Sequence, residues 1–180
     1  MGFLTISDFH SFRDLLVAQV KDLYDAEQRL VDAIPKMAGA AASSNLKGAF
    51  LEHLQQTKGH VTRLEQVFGL LEAPPERETC EAMKGLISEG GDIIQAKGDP
   101  AVRDAALIAG AQCVEHYEMA LYGSARTFAQ RLGYGPVASL LQATLEEEFA
   151  ADQKLTDLAM LEINEEAARG TAAVAAKAAR

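Results

Sequence analysis

The sequence predicts an all-α fold. Four long windows repeat apolar residues every three to four positions, and no window alternates apolar and polar residues as a half-exposed strand does. The segment EAPPERET, with its paired prolines, separates the second window from the third. The chain has 180 residues, 48% of them hydrophobic, which is enough for one core and too few for two full-sized domains. We therefore expect one helical domain over residues 1–163.

The first two windows predict a helical hairpin. Ser7 and Asp8 suit the N-cap of the first helix, whose apolar stripe runs over 16–37. The segment 42–45 is a short break, and the stripe of the second helix follows over 46–68. A break this short predicts two antiparallel helices.

The rest of the chain predicts a crossover and a second hairpin. The paired prolines exclude a helix interior, and a weaker apolar pattern then predicts a short helix that is interrupted at Gly90–Gly91. Asp99–Pro100 suits the N-cap and first position of the third long helix, and 133–136 ends that helix and begins the fourth. Two hairpins joined by one long crossover form the connectivity of a ferritin-like four-helix bundle. The alanine-rich segment 164–180 has no bulky apolar stripe, so we expect it to be frayed or disordered.

Charge and composition exclude several classes of partner. A formal charge of -9 lacks the clustered Lys and Arg that phosphate binding needs, so we expect neither a nucleic acid nor a membrane as partner. The chain carries no basic and apolar leader and no apolar run of about 18 residues, which predicts a soluble protein. Cys80 and Cys113 make no disulfide framework or metal motif, which fits a reducing cytoplasm.

The candidate functional residues are acidic side chains that interrupt the apolar stripes. A carboxylate in a helical core is costly unless something compensates its charge. Glu27 alone interrupts the first stripe. Glu118 interrupts the third, with Glu115 one turn earlier on its flank, and Glu148 and Asp152 interrupt the fourth.

The second helix carries different polar residues at the matching depth. Glu27 lies about 16 residues before the first turn, and Gln56 and His60 lie about 13 and 17 after it, a mismatch of a few Å at 1.5 Å per residue. His53 lies about 10 residues after the turn and is the poorer match, so we treat it as an alternative ligand.

The second hairpin repeats this arrangement. Glu118 lies about 16 residues before the second turn, and Glu148 and Asp152 lie about 14 and 18 after it. Polar groups at one depth in both hairpins are typical of a two-metal carboxylate site. The run 146–148 is also typical of a solvated helix face.

Three segments carry a resemblance to a known family: LYDAEQRL (23–30), DAALIAGAQCVEHYEMALYGSARTFAQRLGY (104–134) and LLQATLEEEFAADQKLTDLA (140–159). The chain resembles the YciF/YciE family of bacterial ferritin-like stress-response proteins over nearly its whole length. The resemblance implies a rubrerythrin-like bundle, a homodimer and a di-metal centre of poorly defined activity. It implies these ligands: Glu27, Glu115, Glu118, Glu148 and Asp152.

The second helix departs from the family pattern. Relatives carry acidic residues in an HLEET stretch, where this chain reads HLQQT over 53–57. Gln56 is a neutral and weaker ligand, and we expect His60, one turn later, to supply the missing donor.

This donor set suits two Fe or Mn ions, with Zn able to substitute, because hard oxygen ligands with a histidine tolerate these metals. We expect Glu27 and Glu118 to be bridging or near-bridging ligands. The terminal ligands would be Glu148, Asp152, His60 and Glu115. If the carboxylates converge without a cation, at least one should hold its proton near neutral pH.

Two functions are consistent with these residues. The first is a di-metal protein of bacterial stress response that handles peroxide, oxygen or iron. The alternative is a metal-free helical dimer, structural or partner-binding, in which buried polar residues form a hydrogen-bonded network that fixes helix register.

Overall fold

Helices account for nearly all of the secondary structure. The structure, a computed structural model, describes residues 9–170. The elements are α1 (Phe12–Ala40), α2 (Ser44–Leu70), α3 (Glu81–Gln95), α4 (Pro100–Arg131), α5 (Gly135–Leu158) and a π-helical turn (Ala159–Ile163). No strand occurs in this part of the chain, so the predicted all-α class is confirmed. None of these helices is both long and apolar enough to cross a membrane.

The helix starts follow from local capping. The Ser43 hydroxyl accepts hydrogen bonds from two N–H groups in the first turn of α2, and the Asp99 carboxylate does the same for α4. The start of α1 differs from the prediction, because its N-cap is Ser11, whose hydroxyl accepts the Asp14 N–H at 3.1 Å. Ser7 and Asp8 lie outside the described residues.

The crossover between α2 and α4 contains the predicted short helix, but the predicted interruption is wrong. Helix α3 runs unbroken through Gly90 and Gly91. Each glycine costs about 1 kcal/mol in a helix. Apolar residues on both sides of the pair, such as Leu86 and Ile94, pack against the core and oppose that cost.

The four long helices are antiparallel to their neighbours. Helices α1 and α5 each pack against both α2 and α4, and α3 lies against α1 and α4. On α1 and α2, Tyr24 contacts Glu65 while Glu27 contacts His60. The residue numbers rise along α1 and fall along α2, so these two helices are antiparallel. The crossover therefore returns the chain from one end of the four helices to the other.

The core consists of two apolar clusters. One gathers Leu16, Val20, Phe68 and their neighbours, and the other gathers residues around Leu46 and Ile108. Buried polar side chains of the four long helices lie between these clusters.

Helical structure extends further into the C-terminal segment than we expected. Residues 164–170 are helical, whereas we predicted fraying from 164. The remainder, 171–180, lies outside the described residues, so the 1–163 domain boundary stays a prediction.

Candidate metal centre

Each of the four long helices contributes a fully buried polar side chain to the layer between the apolar clusters. These are Glu27 on α1, His60 on α2, Glu118 on α4 and Glu148 on α5, each 0% exposed. Glu115, one turn before Glu118, is 3% exposed. These side chains are buried because each lies on or beside the apolar stripe of its helix, and that stripe faces the core.

The first donor set joins three helices. His60 Nδ1 lies 3.2 Å from Glu27 Oε1 and 3.0 Å from Glu148 Oε1. One ligand atom from each of these residues lies within 4.8 Å of the others, close enough to hold one ion.

The second donor set lies one helical turn nearer the α1–α2 turn and shares Glu148 with the first. It consists of His53, Glu115, Glu118 and Glu148, again with ligand atoms within 4.8 Å of one another. His53 Nε2 lies 3.4 Å from Glu115 Oε1 and 3.9 Å from Glu148 Oε2. The two donor sets, each compact enough to hold one ion, thus share the Glu148 carboxylate.

The carboxylates of this layer lack the hydrogen bonds that buried acids need. Both oxygens of Glu118, both oxygens of Glu148, and one oxygen each of Glu27 and Glu115 make no hydrogen bond within the described residues. A buried oxygen without a donor is costly, and a cation compensates such an oxygen directly.

Burial and mutual repulsion shift Glu115 and Glu118 toward their neutral forms. Burial raises the pKa of Glu118 well above its ordinary value, and the Glu27, Glu148 and Glu115 carboxylates raise it further. Burial also raises the pKa of Glu115, with the Glu148 carboxylate adding to the rise. These shifts have the direction that we expected for carboxylates that converge without a cation.

A carboxylate at the Nε2 nitrogen of His60 orients the imidazole ring. His60 Nε2 lies 2.7 Å from Glu147 Oε2, and Arg63 holds that carboxylate through two hydrogen bonds of 3.0 and 3.1 Å. Burial lowers the pKa of His60, but the carboxylates of Glu27 and Glu148 outweigh burial and raise the pKa to about 11. A carboxylate on the far nitrogen of a histidine is the usual outer partner of a metal ligand, because it keeps the proton on that nitrogen when a metal replaces the proton on the near one.

Tyr122 fixes the Glu27 carboxylate in the same way. This fully buried phenol donates a 2.5 Å hydrogen bond to Glu27 Oε1. Sequence reasoning placed neither Tyr122 nor Glu147 at the site. The signals were present, since Tyr122 follows Glu118 by one turn and Glu147 precedes Glu148, but the acidic run 146–148 is also typical of a solvated face.

Two predicted ligands lie at the margin of the layer. Gln56 contacts His53 Nδ1 at 3.2 Å, beside the second donor set, and its role as a ligand stays a prediction. Asp152 is 21% exposed in its side chain, accepts a hydrogen bond from Gln112 at 3.0 Å and lies 3.4 Å from His116. Asp152 follows Glu148 by four residues, which is 40° more than a full helical turn, so it rotates away from the centre.

The donors fit hard divalent metals. Carboxylate oxygens with imidazole nitrogens suit Fe and Mn, and neither donor set contains a thiolate. The fold and the site together define an all-helical protein with a buried carboxylate and histidine cluster.

Comparison with known proteins assigns the family. Residues 11–168 match the model of the family described as "Domain of unknown function (DUF892)", and the chain belongs to that family. The chain is 44% identical to Protein YciF of Escherichia coli over 158 residues, 87% of this chain and 95% of that protein. The resemblance to YciF that the sequence showed is confirmed.

Solved structures agree with this assignment. The crystal structure of the E. coli stress protein YciF matches with a TM-score of 0.84, over 87% of this chain and 99% of that one. YcfI from Rhodopseudomonas palustris matches with a TM-score of 0.81 at 39% identity, over 83% of this chain and 95% of that one. A Xanthomonas campestris protein, 18% identical with a TM-score of 0.73 over 89% of this chain and 99% of that one, shares the fold.

Proposed function

We propose that the chain is a ferritin-like di-metal carboxylate protein that holds two Fe or Mn ions. One observation carries the proposal: two donor sets, joined by Glu148, contain six buried carboxylate oxygens that make no hydrogen bond within the described residues. The antiparallel helices and the long crossover support the ferritin-like connectivity.

The two donor sets assign the ligands. Glu27 and His60 would hold one ion, His53, Glu115 and Glu118 the other, and Glu148 would bridge them. This differs from our expectation that Glu27 and Glu118 bridge, because only Glu148 belongs to both sets. When bound, such ions supply redox chemistry toward oxygen or peroxide. The chain itself orients His60 through Glu147 and Glu27 through Tyr122.

The family supports a role in stress response. The E. coli relative is described as a stress protein. We infer that this chain also acts in bacterial stress response, where it handles peroxide, oxygen or iron.

The metal-free alternative predicts a different pattern of contacts. A network that fixes helix register must be hydrogen-bonded, and a partly satisfied network is worse than an apolar core. Both oxygens of Glu118 make no hydrogen bond within residues 9–170, so the contacts favour the metal proposal.

Metal analysis tests the proposal directly. Protein purified without chelator should contain about two Fe or Mn per chain, the number that two adjacent ligand groups hold. Glu148→Gln should lose both ions, because Glu148 is common to the two donor sets, and Asp152→Asn is the matched control on the same helix. Metal-free wild-type protein that also fails to take up Fe(II) or Mn(II) would contradict the proposal.

We also propose a homodimer. Phe149 and Leu161 expose 57% and 82% of their surface, and exposed apolar side chains on a small protein favour self-association. Sedimentation should give a dimer at micromolar concentration, and a monomer would contradict this proposal.

A further inference from the structure

A cavity of about 150 Å³ opens between α2 and α5 and reaches the second donor set. His53 and Glu115 line it, as does Gln56. Small side chains at Ala49 and Ala151 leave the space between the two helices open. The cavity therefore connects the surface with residues that we assign to the metal centre.

A buried acid at this cavity points to a ligand. Glu115 is 3% exposed, and its Oε2 atom makes no hydrogen bond within the described residues. A cation would compensate such an oxygen, because burial has removed it from water without giving it a hydrogen-bond donor. The neighbouring imidazole of His53 adds a second metal donor at 3.4 Å from Glu115.

An ion pair lies at the outer side of the cavity. Lys154 Nζ contacts Glu52 Oε2 at 2.6 Å, and both residues line the cavity. Their side chains are 45% and 60% exposed, so water screens the pair and it holds the two helices only weakly. The pair can therefore open without disturbing the core.

We propose that this cavity is the entrance through which a divalent cation reaches the metal centre, and that Glu52 and Lys154 set the charge at its mouth. The inference rests on the proposed function. His53 and Glu115 are the first ligands that an entering ion meets. The pair acts on the rate of entry, since the residues of the two donor sets determine the affinity.

Loading kinetics with Co(II) as the probe test the entrance. Metal-free protein is mixed with Co(II) and the visible absorption of the bound ion is followed by stopped flow. Ala151→Leu fills the cavity and should slow loading by about tenfold or more, because entry then waits for local opening of the helices. The dissociation constant should not change, since entry and exit slow together.

Ala143→Leu is the matched control. Ala143 lies two turns earlier on the same helix and lines a different cavity, with Gln142 and Glu146, that no residue of either donor set lines. This variant should load at the wild-type rate. Equal slowing by Ala143→Leu, or a wild-type rate in Ala151→Leu, would overturn the entrance.

Charge at the mouth gives a second test that does not depend on packing. Lys154→Ala leaves Glu52 alone and should speed Co(II) loading by about two- to fivefold at low salt, and Glu52→Ala should slow it by a similar factor. Added salt should weaken both effects. Shifts of the same sign would overturn the role of the pair. A wild-type protein that binds no Co(II) would overturn the proposed function and the entrance together, whereas normal affinity with unchanged rates in all variants would overturn the entrance alone.

Discussion

Two groups of acids in this protein are equally buried and differ in what surrounds them. Asp25 and Asp104 expose 2% and 1% of their surface, and Glu118 and Glu148 expose 0%. The two aspartates accept several hydrogen bonds each, whereas the two glutamates accept none within the described residues.

Asp25 anchors the start of the crossover. Its carboxylate accepts hydrogen bonds from Arg29 at 2.5 Å, from Arg77 at 2.8 Å and from the Cys80 N–H at 2.9 Å. Burial opposes ionisation of Asp25, but these three donors outweigh it and hold its pKa below the ordinary value. The acid is therefore a compensated anion that fixes α3 to α1.

Asp104 has the same role at the other end. Its carboxylate accepts the N–H groups of Ala42 and Ser43 at 2.7 to 3.1 Å and so fixes the turn between α1 and α2. The comparison teaches that burial alone does not identify a metal ligand. A buried carboxylate whose oxygens lack donors is the better candidate, because a cation would compensate it.

The largest effect on stability should come from Asp25, one of the two acids whose carboxylates accept several hydrogen bonds. Asp25→Ala should lower the free energy of unfolding by about 3–5 kcal/mol, because it removes three hydrogen bonds to a charged carboxylate and leaves the buried Cys80 N–H without an acceptor. Urea unfolding with and without Mn(II) measures this, and the loss should be the same in both. A small loss, similar to that of Glu118→Ala, would remove the distinction between the two groups.

Metal should stabilise the wild-type protein by a smaller amount. Free Mn(II) at 100 times its dissociation constant stabilises the folded state by about 2.7 kcal/mol. At about 2–4 °C per kcal/mol for a chain of this size, the melting temperature should rise by about 5–10 °C. Asp25→Asn is the control and should melt lower but show the same rise. An unchanged melting temperature in wild type would contradict the metal centre.

Glu118→Ala tests the same comparison in the group of buried acids that accept no hydrogen bonds within the described residues. The variant should lose most of the metal-dependent rise, because it removes a ligand of the second set. Its metal-free form should be as stable as wild type or more so, since the change removes one of several repelling acids while opening a small cavity. Glu118→Gln controls for the cavity, because it keeps the volume and removes the ionisable group. A destabilised metal-free variant, together with a wild type that ignores metal, would favour the register network.

The sequence predicted the centre of this site better than its margins. Glu27, Glu118 and Glu148 each interrupt an apolar stripe, so helical periodicity alone places them in the core. The sequence predicted His53 to be the poorer match, because its depth from the first turn was compared with that of Glu27. In the structure it pairs with Glu115, which lies one turn nearer the same end.

Contacts between helices could not be predicted. The partners of His60 and Glu27 lie on other helices, Glu147 on α5 and Tyr122 on α4, and their rotation depends on packing angles that a single stripe does not fix. The unbroken α3 has the same cause, since tertiary packing overrides the low helix propensity of Gly90 and Gly91.

Asp25 and the buried pair Glu115 and Glu118 should also respond to pH in opposite directions. In the metal-free fold Glu115 and Glu118 hold protons above their ordinary pKa of 4.5, whereas the unfolded chain releases them there. The folded state then binds more protons, so stability should fall as pH rises above about 4.5, by about 1.4 kcal/mol per pH unit for each proton that the folded state retains. The stability from Asp25 is present above its ordinary pKa of 3.8 and is lost as pH falls below it. Urea unfolding across this pH range measures the slope.

Metal should flatten this pH dependence. Binding displaces the retained protons, so titration of the metal-free protein with Mn(II) at pH 7 should release more than one proton per chain, measured as the dependence of the binding heat on buffer ionisation. Glu118→Gln should release fewer. Binding without proton release would contradict the raised pKa values of the metal-free centre.

The smallest effect should come from Asp152, which the sequence placed among the ligands. Its carboxylate already has a donor in Gln112 and is partly exposed, so it resembles the compensated acids more than the buried glutamates. Asp152→Asn should change the Mn(II) dissociation constant by no more than about threefold, whereas loss of an outer partner that orients a ligand weakens metal binding by about 10–100-fold. Tyr122→Phe, which removes the hydrogen bond to Glu27, is the comparison for that larger loss. Competition with a chromophoric chelator measures both variants. A tenfold or greater loss of Mn(II) affinity in Asp152→Asn would mean that this side chain leaves Gln112 and turns inward when metal binds. The distinction between carboxylates with and without hydrogen-bond donors would then describe the metal-free protein alone.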